Sequence, residues 1–220
     1  KVAFRNLMKY KMQSFVSIIG LAVGFTCFAL SALWIRYEMT YDNFHKGSDR
    51  IYMVRAHYAN EPGTSNFTPY PLMEYLQDKM PEIEAVTAFT PHHVKFRLEE
   101  TEQEVGMIDA DSVFMNFFDI QLLKGTVNFL KSDGQEVAIT KEFAKRLFSK
   151  EEDALGKEVE VGRRVCKIGA IVSGWSNHSN IPYNILAPAR HSPRWGSSNE
   201  QLFIRVRERT DIDAFRTKMS

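Results

Sequence analysis

The segment ALGK at residues 154–157 is the part of the sequence closest to a nucleotide-binding loop. A phosphate-binding loop needs a glycine five residues before the one in this segment and a serine or threonine directly after the lysine. Those two positions hold Glu151 and Glu158. We therefore expect a tight turn before a strand here, and no ATP hydrolysis by the chain itself.

Histidine and serine residues could support a metal site or a hydrolytic triad, but their spacing favours neither. His92 and His93 are adjacent, so on a strand they point to opposite faces. Residues 174–180 read GWSNHSN. Asp109 or Asp119 could complete a triad there, but the sequence lacks the Gly-x-Ser-x-Gly nucleophile elbow. We expect a polar turn and surface histidines, with no metal, no cofactor and no enzymatic activity.

The elements that position these residues begin with an uncharged stretch. Residues 15–35 carry no charge over twenty-one positions. A helix of that length spans about 31 Å, and the hydrocarbon core of a membrane is about 30 Å thick. We interpret the stretch as a transmembrane helix. The alternatives are a cleaved signal peptide, which usually has a shorter apolar core, and a buried core helix, which usually has a polar face.

The residues that flank the stretch predict its orientation. Residues 1–14 contain basic side chains and no acidic one, so the positive-inside rule places them in the cytoplasm and residues 36–220 outside. Apolar residues at helical spacing predict that the segment 1–14 is a basic amphipathic helix on the anionic membrane lipid. A disordered tail that serves only as a topology signal is the alternative.

Two glycines inside the stretch predict a helix–helix contact. Gly20 and Gly24 form a Gly-x-x-x-Gly pattern, which allows two membrane helices to approach closely. The partner would be another span of the same protein or a second copy of the chain.

The outer part predicts an α+β fold, because strand-like and helix-like segments alternate irregularly. Thr140 is expected to cap a helix at 141–148, and a hairpin is expected to join 157–161 to 164–172. Further expected elements are strands at 51–58, 85–89, 94–99, 104–109, 185–188 and 201–207, a helix from Pro69 to Met80 with Thr68 as its N-cap, and short helices from Asp111 and Asp211.

Composition argues against a nucleic-acid-binding protein and against a disulfide-stabilised fold. The formal net charge is +1, and no basic patch interleaved with aromatic residues suggests nucleic-acid binding. Cys27 lies inside the predicted span and Cys166 in an outer strand, so the two cannot meet and we expect no disulfide.

Five motifs follow one another along the chain. They are AFRNLMKYKMQSFVSIIGLAVGF at 3–25, YEMTYDNFHKGSDRIYMVR at 37–55, FFDIQLLKG at 117–125, VAITKEFAKRLFSKEEDALGKEVEV at 137–161 and SNHSNIPYNILAP at 176–188. Together they cover nearly the whole chain and resemble the MacB/FtsX-like family of ABC transporter permeases, particularly its periplasmic core domain.

The resemblance implies a permease subunit in the bacterial inner (cytoplasmic) membrane, with residues 36–220 in the periplasm. It implies a Porter-like βαβ lobe, a strand-rich Sabre-like lobe and further spans after residue 220. The implied partners are a cytoplasmic ABC ATPase, a second permease in a homodimer or pair, and a periplasmic protein. Its members resemble devices for mechanotransmission, which couple ATP hydrolysis to export or to periplasmic movement. A membrane-anchored sensor or ligand-binding module is the alternative.

Residues 36–50 are expected to form a stalk and junction between the membrane and the core domain at 51–220. Tyr41, Phe44 and Tyr52 could pin this junction against the domain, and Asp42 could accept hydrogen bonds from turn amides. His45 belongs to the same motif. The alternative is a flexible tether whose aromatic side chains only contact lipid headgroups.

Overall fold

The computed structural model describes residues 10–42, 45, 47–59, 62–175 and 179–219. The chain divides after Tyr41 into two compact units, and we call the second, from Asp42 onward, the outer unit. Its helices are α2 (Pro71–Lys79), α3 (Ser112–Phe117), α4 (Lys141–Leu147) and α5 (Ile212–Met219). Its strands are β1 (Ile51–Val54), β2 (Thr68–Pro69), β3 (Ile83–Leu98), β4 (Thr101–Ala110), β5 (Leu122–Gly125), β6 (Glu136–Thr140), β7 (Glu158–Val161), β8 (Arg164–Val172), β9 (Ile185–Pro188) and β10 (Ser198–Val206).

The first unit, over its described residues 10–41, contains one helix, α1 (Lys11–Glu38), of 28 residues. Within the described ranges it is the one helix long and apolar enough to cross a membrane. It includes the uncharged stretch and extends beyond it at both ends. Near its outer end, the ring of Tyr37 lies 6.3 Å from that of Trp34 and 5.6 Å from that of Tyr41. Such aromatic side chains are typical of the membrane–water interface.

The outer unit contains a βαβ lobe. Strand β10 lies between β1 and the first half of β3 and is antiparallel to both, so β1 and β3 are parallel and α2 connects them. Helices α2 and α5 cover the same apolar cluster, since Leu76 and Phe215 both pack in it with Ile204. Burial of these helix faces against the sheet is what holds the lobe together.

Strands β4, β6, β7, β8 and β9 form a small closed barrel with the second half of β3, and we call it the barrel lobe; β2 pairs with β10, and β5 lies at the edge of β8. The second half of β3 pairs with β4, and the ring continues through β9, β6, β8 and β7. Strand β7 returns to β3 through the pairs Phe96–Val161 and Arg97–Glu160. Phe96 is fully buried and lies edge-on to Phe143 of α4, with 5.0 Å between the ring centroids. Because α4 follows directly on β6, it closes that end of the barrel.

The prediction of an α+β fold is confirmed, and several elements lie where they were expected. The Thr140 hydroxyl accepts a hydrogen bond from the Phe143 amide at 3.3 Å and so caps α4. The ALGK segment is a turn in which Gly156 has a φ of +75°, followed by β7.

Three local predictions were wrong. The helix predicted from Pro69 begins at Pro71, because Thr68 and Pro69 pair with β10 instead. The strand predicted at 51–58 ends at Val54. The two strands predicted at 85–89 and 94–99 are one strand, β3, which passes from one lobe to the other.

Candidate functional site

Asp42, the first residue of the outer unit, binds a loop that is distant in sequence. Its carboxylate accepts hydrogen bonds from the Ser179 hydroxyl at 2.6 Å and from the Asn180 side-chain amide at 2.9 Å, and from the Asn180 backbone amide at 3.3 Å. Asp42 has a φ of +56°, a conformation that Asp tolerates better than most residues. Charge-assisted hydrogen bonds of this kind fix the start of the outer unit to the loop before β9.

His45 is held by aromatic side chains just beyond Asp42. Its ring lies 4.9 Å from Phe118 and 4.9 Å from Trp175, edge-on to the latter. The rings of Phe118 and Trp175 also contact each other, with 5.0 Å between their centroids. Phe118 belongs to the apolar cluster between the two lobes, and Trp175 packs against that cluster. Burial lowers the pKa of the His45 imidazole, against the opposing effect of Asp42. A neutral ring is therefore favoured in this position.

Arg50 completes the attachment at the start of β1. Its guanidinium group donates to the Val206 carbonyl at 2.8 Å and to the Glu84 carboxylate. Gly47, with a φ of +71°, turns the chain so that the Arg50 side chain lies over it. Tyr52 is partly buried on the apolar cluster of the βαβ lobe, and its hydroxyl donates to the Asp49 carbonyl at 3.3 Å.

The structure separates the residues of the expected junction. Asp42, His45 and Tyr52 lie in the outer unit, whereas Tyr41 packs on Tyr37 in the helical unit. Phe44 lies outside the described residues, as do the segment 1–9 and the central part of GWSNHSN.

The sequence did not reveal the partners of these junction residues. The partners of Asp42 and His45 lie more than seventy positions away, and no local pattern marks them. A cavity of about 430 Å³ adjoins them, lined among others by Asp42, His45, Trp175 and Ser179. Within the described part of the chain no cluster of three or more His, Cys, Asp or Glu residues could hold a metal ion. The arrangement attaches the start of the outer unit to the loop before β9 and to an aromatic cluster.

A second polar cluster connects the two lobes around His191. Its Nδ1 lies 3.2 Å from the carboxylate of Glu200, and its Nε2 lies 3.6 Å from that of Asp111. The ring stacks on Tyr70 at 4.0 Å, and Thr90 donates to Glu200 at 3.1 Å. Burial lowers the pKa of His191, but the two carboxylates outweigh it and raise the pKa to about 9. His191 is therefore a cation at neutral pH and bridges β10 to the start of α3.

We expect this cluster to make the stability of the outer unit depend on pH. Because the folded pKa of His191 lies above the unfolded value of about 6.5, its contribution is fully present below pH 6.5 and is lost as the pH rises through about 9. The loss should be about 2 kcal/mol, since water reaches part of the ring. Urea unfolding of the protein and of His191→Gln from pH 6 to 10 measures it.

The difference in unfolding free energy between the two proteins should shrink over this range. The matched control is His93→Gln, whose ring has no ion pair among the described residues. A difference that stays constant with pH would show that His191 acts only by packing.

Gly20 and Gly24 lie on one side of α1, and a Cβ atom added at either would meet nothing within 4 Å. Their contact with a second helix therefore stays a prediction.

Comparison with known proteins gives a consistent picture. The model of the MacB-like periplasmic core domain matches residues 14–220. The structure resembles a domain of a permease protein from Porphyromonas gingivalis, with a TM-score of 0.65, 20% identity, and coverage of 79% of this chain and 82% of that one.

Two further solved structures are similar. The extracellular domain of the noncanonic ABC-type transporter YknZ from Gram-positive bacteria has a TM-score of 0.56 and 15% identity, over 74% of this chain and 86% of that one. The periplasmic region of MacB from Actinobacillus actinomycetemcomitans has a TM-score of 0.55 and 13% identity, over 79% and 81%. No curated protein matches the sequence significantly. Since the family model covers most of the chain, the protein belongs to the MacB-like periplasmic core domain family.

Proposed function

We propose that this chain is part of a permease subunit that couples ATP hydrolysis by a separate cytoplasmic ATPase to movement of its periplasmic domain. Helix α1 anchors it in the bacterial inner membrane, and the outer unit lies in the periplasm. The family is one of transporter permease components, which are not themselves enzymes.

The attachment of Asp42 carries the proposal. A flexible tether would leave the residues after the helix without long-range contacts. Here Asp42 binds Ser179 and Asn180, and His45 packs between aromatic rings of the outer unit. The outer unit is therefore attached at its first residue, Asp42, and again at His45, and this favours transmission of movement over simple tethering.

Identification of the protein that co-purifies with this chain tests the proposed function directly. The full-length protein, tagged and purified from its native membranes in mild detergent, should retain an ABC ATPase subunit in a fixed ratio. Retention of a kinase or cyclase, or the presence of such a domain in the same polypeptide, would instead support the sensor alternative.

We expect the glycines of α1 to face a second copy of the chain. At about 100° per residue, Cys27 lies on the same side of the helix as Gly20 and Gly24. Cys27 should therefore form an oxidative cross-link between two copies in membranes. Replacing both glycines with leucine should weaken the association of two copies about two- to thirtyfold and so lower the cross-linked fraction, since close helix packing contributes about 0.5–2 kcal/mol.

The control for this experiment uses the opposite side of the same helix. Ala22→Leu and Ala29→Leu add nearly the same bulk there, one carbon atom less at each position, and should leave the cross-link unchanged. An equal effect of both pairs, or no Cys27 cross-link in the unmodified protein, would place the glycines toward lipid or toward a different span.

A further inference from the structure

The open end of the barrel lobe is a second cavity of the outer unit. Helix α4 closes one end of the ring of strands, and the opposite end leaves a cavity of about 340 Å³. The interior of a six-stranded barrel is normally filled by its own side chains, and Phe96 and Phe143 fill the closed end here. The mouths of barrels are common positions for small-molecule sites.

The floor of the cavity is apolar. It consists of side chains from five strands that all point into the barrel, namely Met107, Val137, Val161, Cys166 and Ala187. Burial raises the pKa of the Cys166 thiol to about 11, so at neutral pH the group is protonated and behaves as a small apolar side chain. The floor therefore favours an apolar group of a ligand.

The rim of the cavity is cationic. Arg163 and Arg164 at the β7–β8 turn and Arg190 after β9 line it. The guanidinium groups of Arg164 and Arg190 come within 3.3 Å and 4.0 Å of the point where a Cβ atom of Gly134 would lie. Two guanidinium groups thus converge on a position where the absence of a side chain leaves space. Paired guanidinium groups suit the planar geometry of a carboxylate.

Asp133 offsets the charge of one rim arginine, because it pairs with Arg190 through the Nη2 atom that approaches Gly134, but the rim keeps a net positive charge from the other two. The Asp133 carboxylate accepts a hydrogen bond from the Arg190 guanidinium group. A carboxylate oxygen of Asp109 lies 4.0 Å from Nδ1 of His92. Burial raises the pKa of the Asp109 carboxyl, against the opposing effects of His92 and Arg164. Within the described residues, Arg163 and Arg164 form no ion pair.

The geometry points to a binding site for a small organic anion in the barrel mouth. Its carboxylate binds between Arg164 and Arg190, and its apolar body lies on the floor beside Met107. An aryl-alkyl carboxylate combines the two features. The site does not depend on the proposed coupling function.

Methyl NMR of the full chain in nanodiscs tests the site, with methionine methyl groups labelled with ¹³C and phenylacetate as the probe. The Met107 methyl signal should shift in a saturable manner. Phenylacetamide, which has the same body without charge, and acetate, which has the charge without the body, should shift it much less. Arg164→Gln and Arg190→Gln should each weaken binding about tenfold, because each removes a charge-assisted hydrogen bond.

The matched control is Arg55→Gln, an exposed arginine of the βαβ lobe, which should leave phenylacetate binding unchanged. Arg164 and Arg190 are exposed, so their replacement should not impair folding, and an unchanged methyl spectrum without ligand verifies this. The site would be rejected if Met107 showed no saturable shift, if phenylacetamide bound as well as phenylacetate, or if all three variants behaved alike.

Discussion

Replacing Asp42 with alanine is expected to lower the free energy of unfolding of the outer unit by about 3 kcal/mol. The replacement removes a carboxylate that accepts from the hydroxyl of Ser179 and from two amide groups of Asn180. Each hydrogen bond to a charged group contributes about 1.5–3 kcal/mol, and such contributions are not additive. Ser179 is only 6% exposed, so its hydroxyl would lose a buried partner. Urea unfolding followed by tryptophan fluorescence, with Trp175 beside the junction, measures the change.

A matched control separates the hydrogen bonds from the backbone conformation. Asp119 also has a positive φ, of +53°, and is exposed; Asp119→Ala should therefore reproduce the backbone cost alone. A double-mutant cycle of Asp42→Ala with Ser179→Ala should give a coupling of at least about 1 kcal/mol. A coupling near zero, with Asp119→Ala as destabilising as Asp42→Ala, would show that Asp42 does not hold the junction through Ser179.

The sequence predicts those elements whose formation depends on residues close together in the chain. The uncharged stretch predicts α1 because a membrane span is defined by its own composition. Thr140 predicts the start of α4 because an N-cap acts within three residues. The partners of Asp42 could not be predicted in this way, since 137 positions separate it from Ser179 and hydrogen-bonding residues of this type occur in every loop.

The long strand β3 illustrates a second limit. Two strands were predicted, at 85–89 and 94–99, where the structure has one strand that contains Pro91, although proline lacks the amide hydrogen that a central strand needs. In the structure Pro91 lies two residues beyond Phe89, the last residue of this run that pairs with β10. From there β3 has a neighbour on one edge only until β7 joins it at Phe96, and such a strand tolerates proline. Closure of the barrel likewise depends on the two short pairings of β7, which no sequence period predicts.

Inserting six Gly and Ser residues after Thr40 is the second change with a large expected effect. A flexible insert adds conformational freedom and leaves both folded units intact. ATP hydrolysis by the partner subunit should continue, while movement of the outer unit in response to ATP should be lost. The insert should not change the unfolding free energy of the outer unit by more than about 0.5 kcal/mol, because the contacts of Asp42 and His45 are retained.

The control for length and composition is the same insert after Gly196. This residue lies in an exposed loop of the outer unit, and a Cβ atom added there would meet nothing within 4 Å. The insert after Gly196 should leave both ATP hydrolysis and movement of the outer unit unchanged. Loss of movement with both inserts would indicate a general effect of insertion rather than a role of the connection at Thr40.

The most direct test of mechanical coupling measures ATP hydrolysis and movement of the outer unit in the same reconstituted sample. Spin labels at Val165, which is 69% exposed, report the distance between outer units in the reconstituted complex, after replacement of Cys27 and Cys166. ATP hydrolysis is assayed in parallel. With the native connection, the distance distribution should shift when ATP is added; with the insert after Thr40, hydrolysis should persist and the shift should disappear. The same ATP-dependent shift in both proteins would show that the outer unit is only tethered and that movement does not pass through the connection at Asp42.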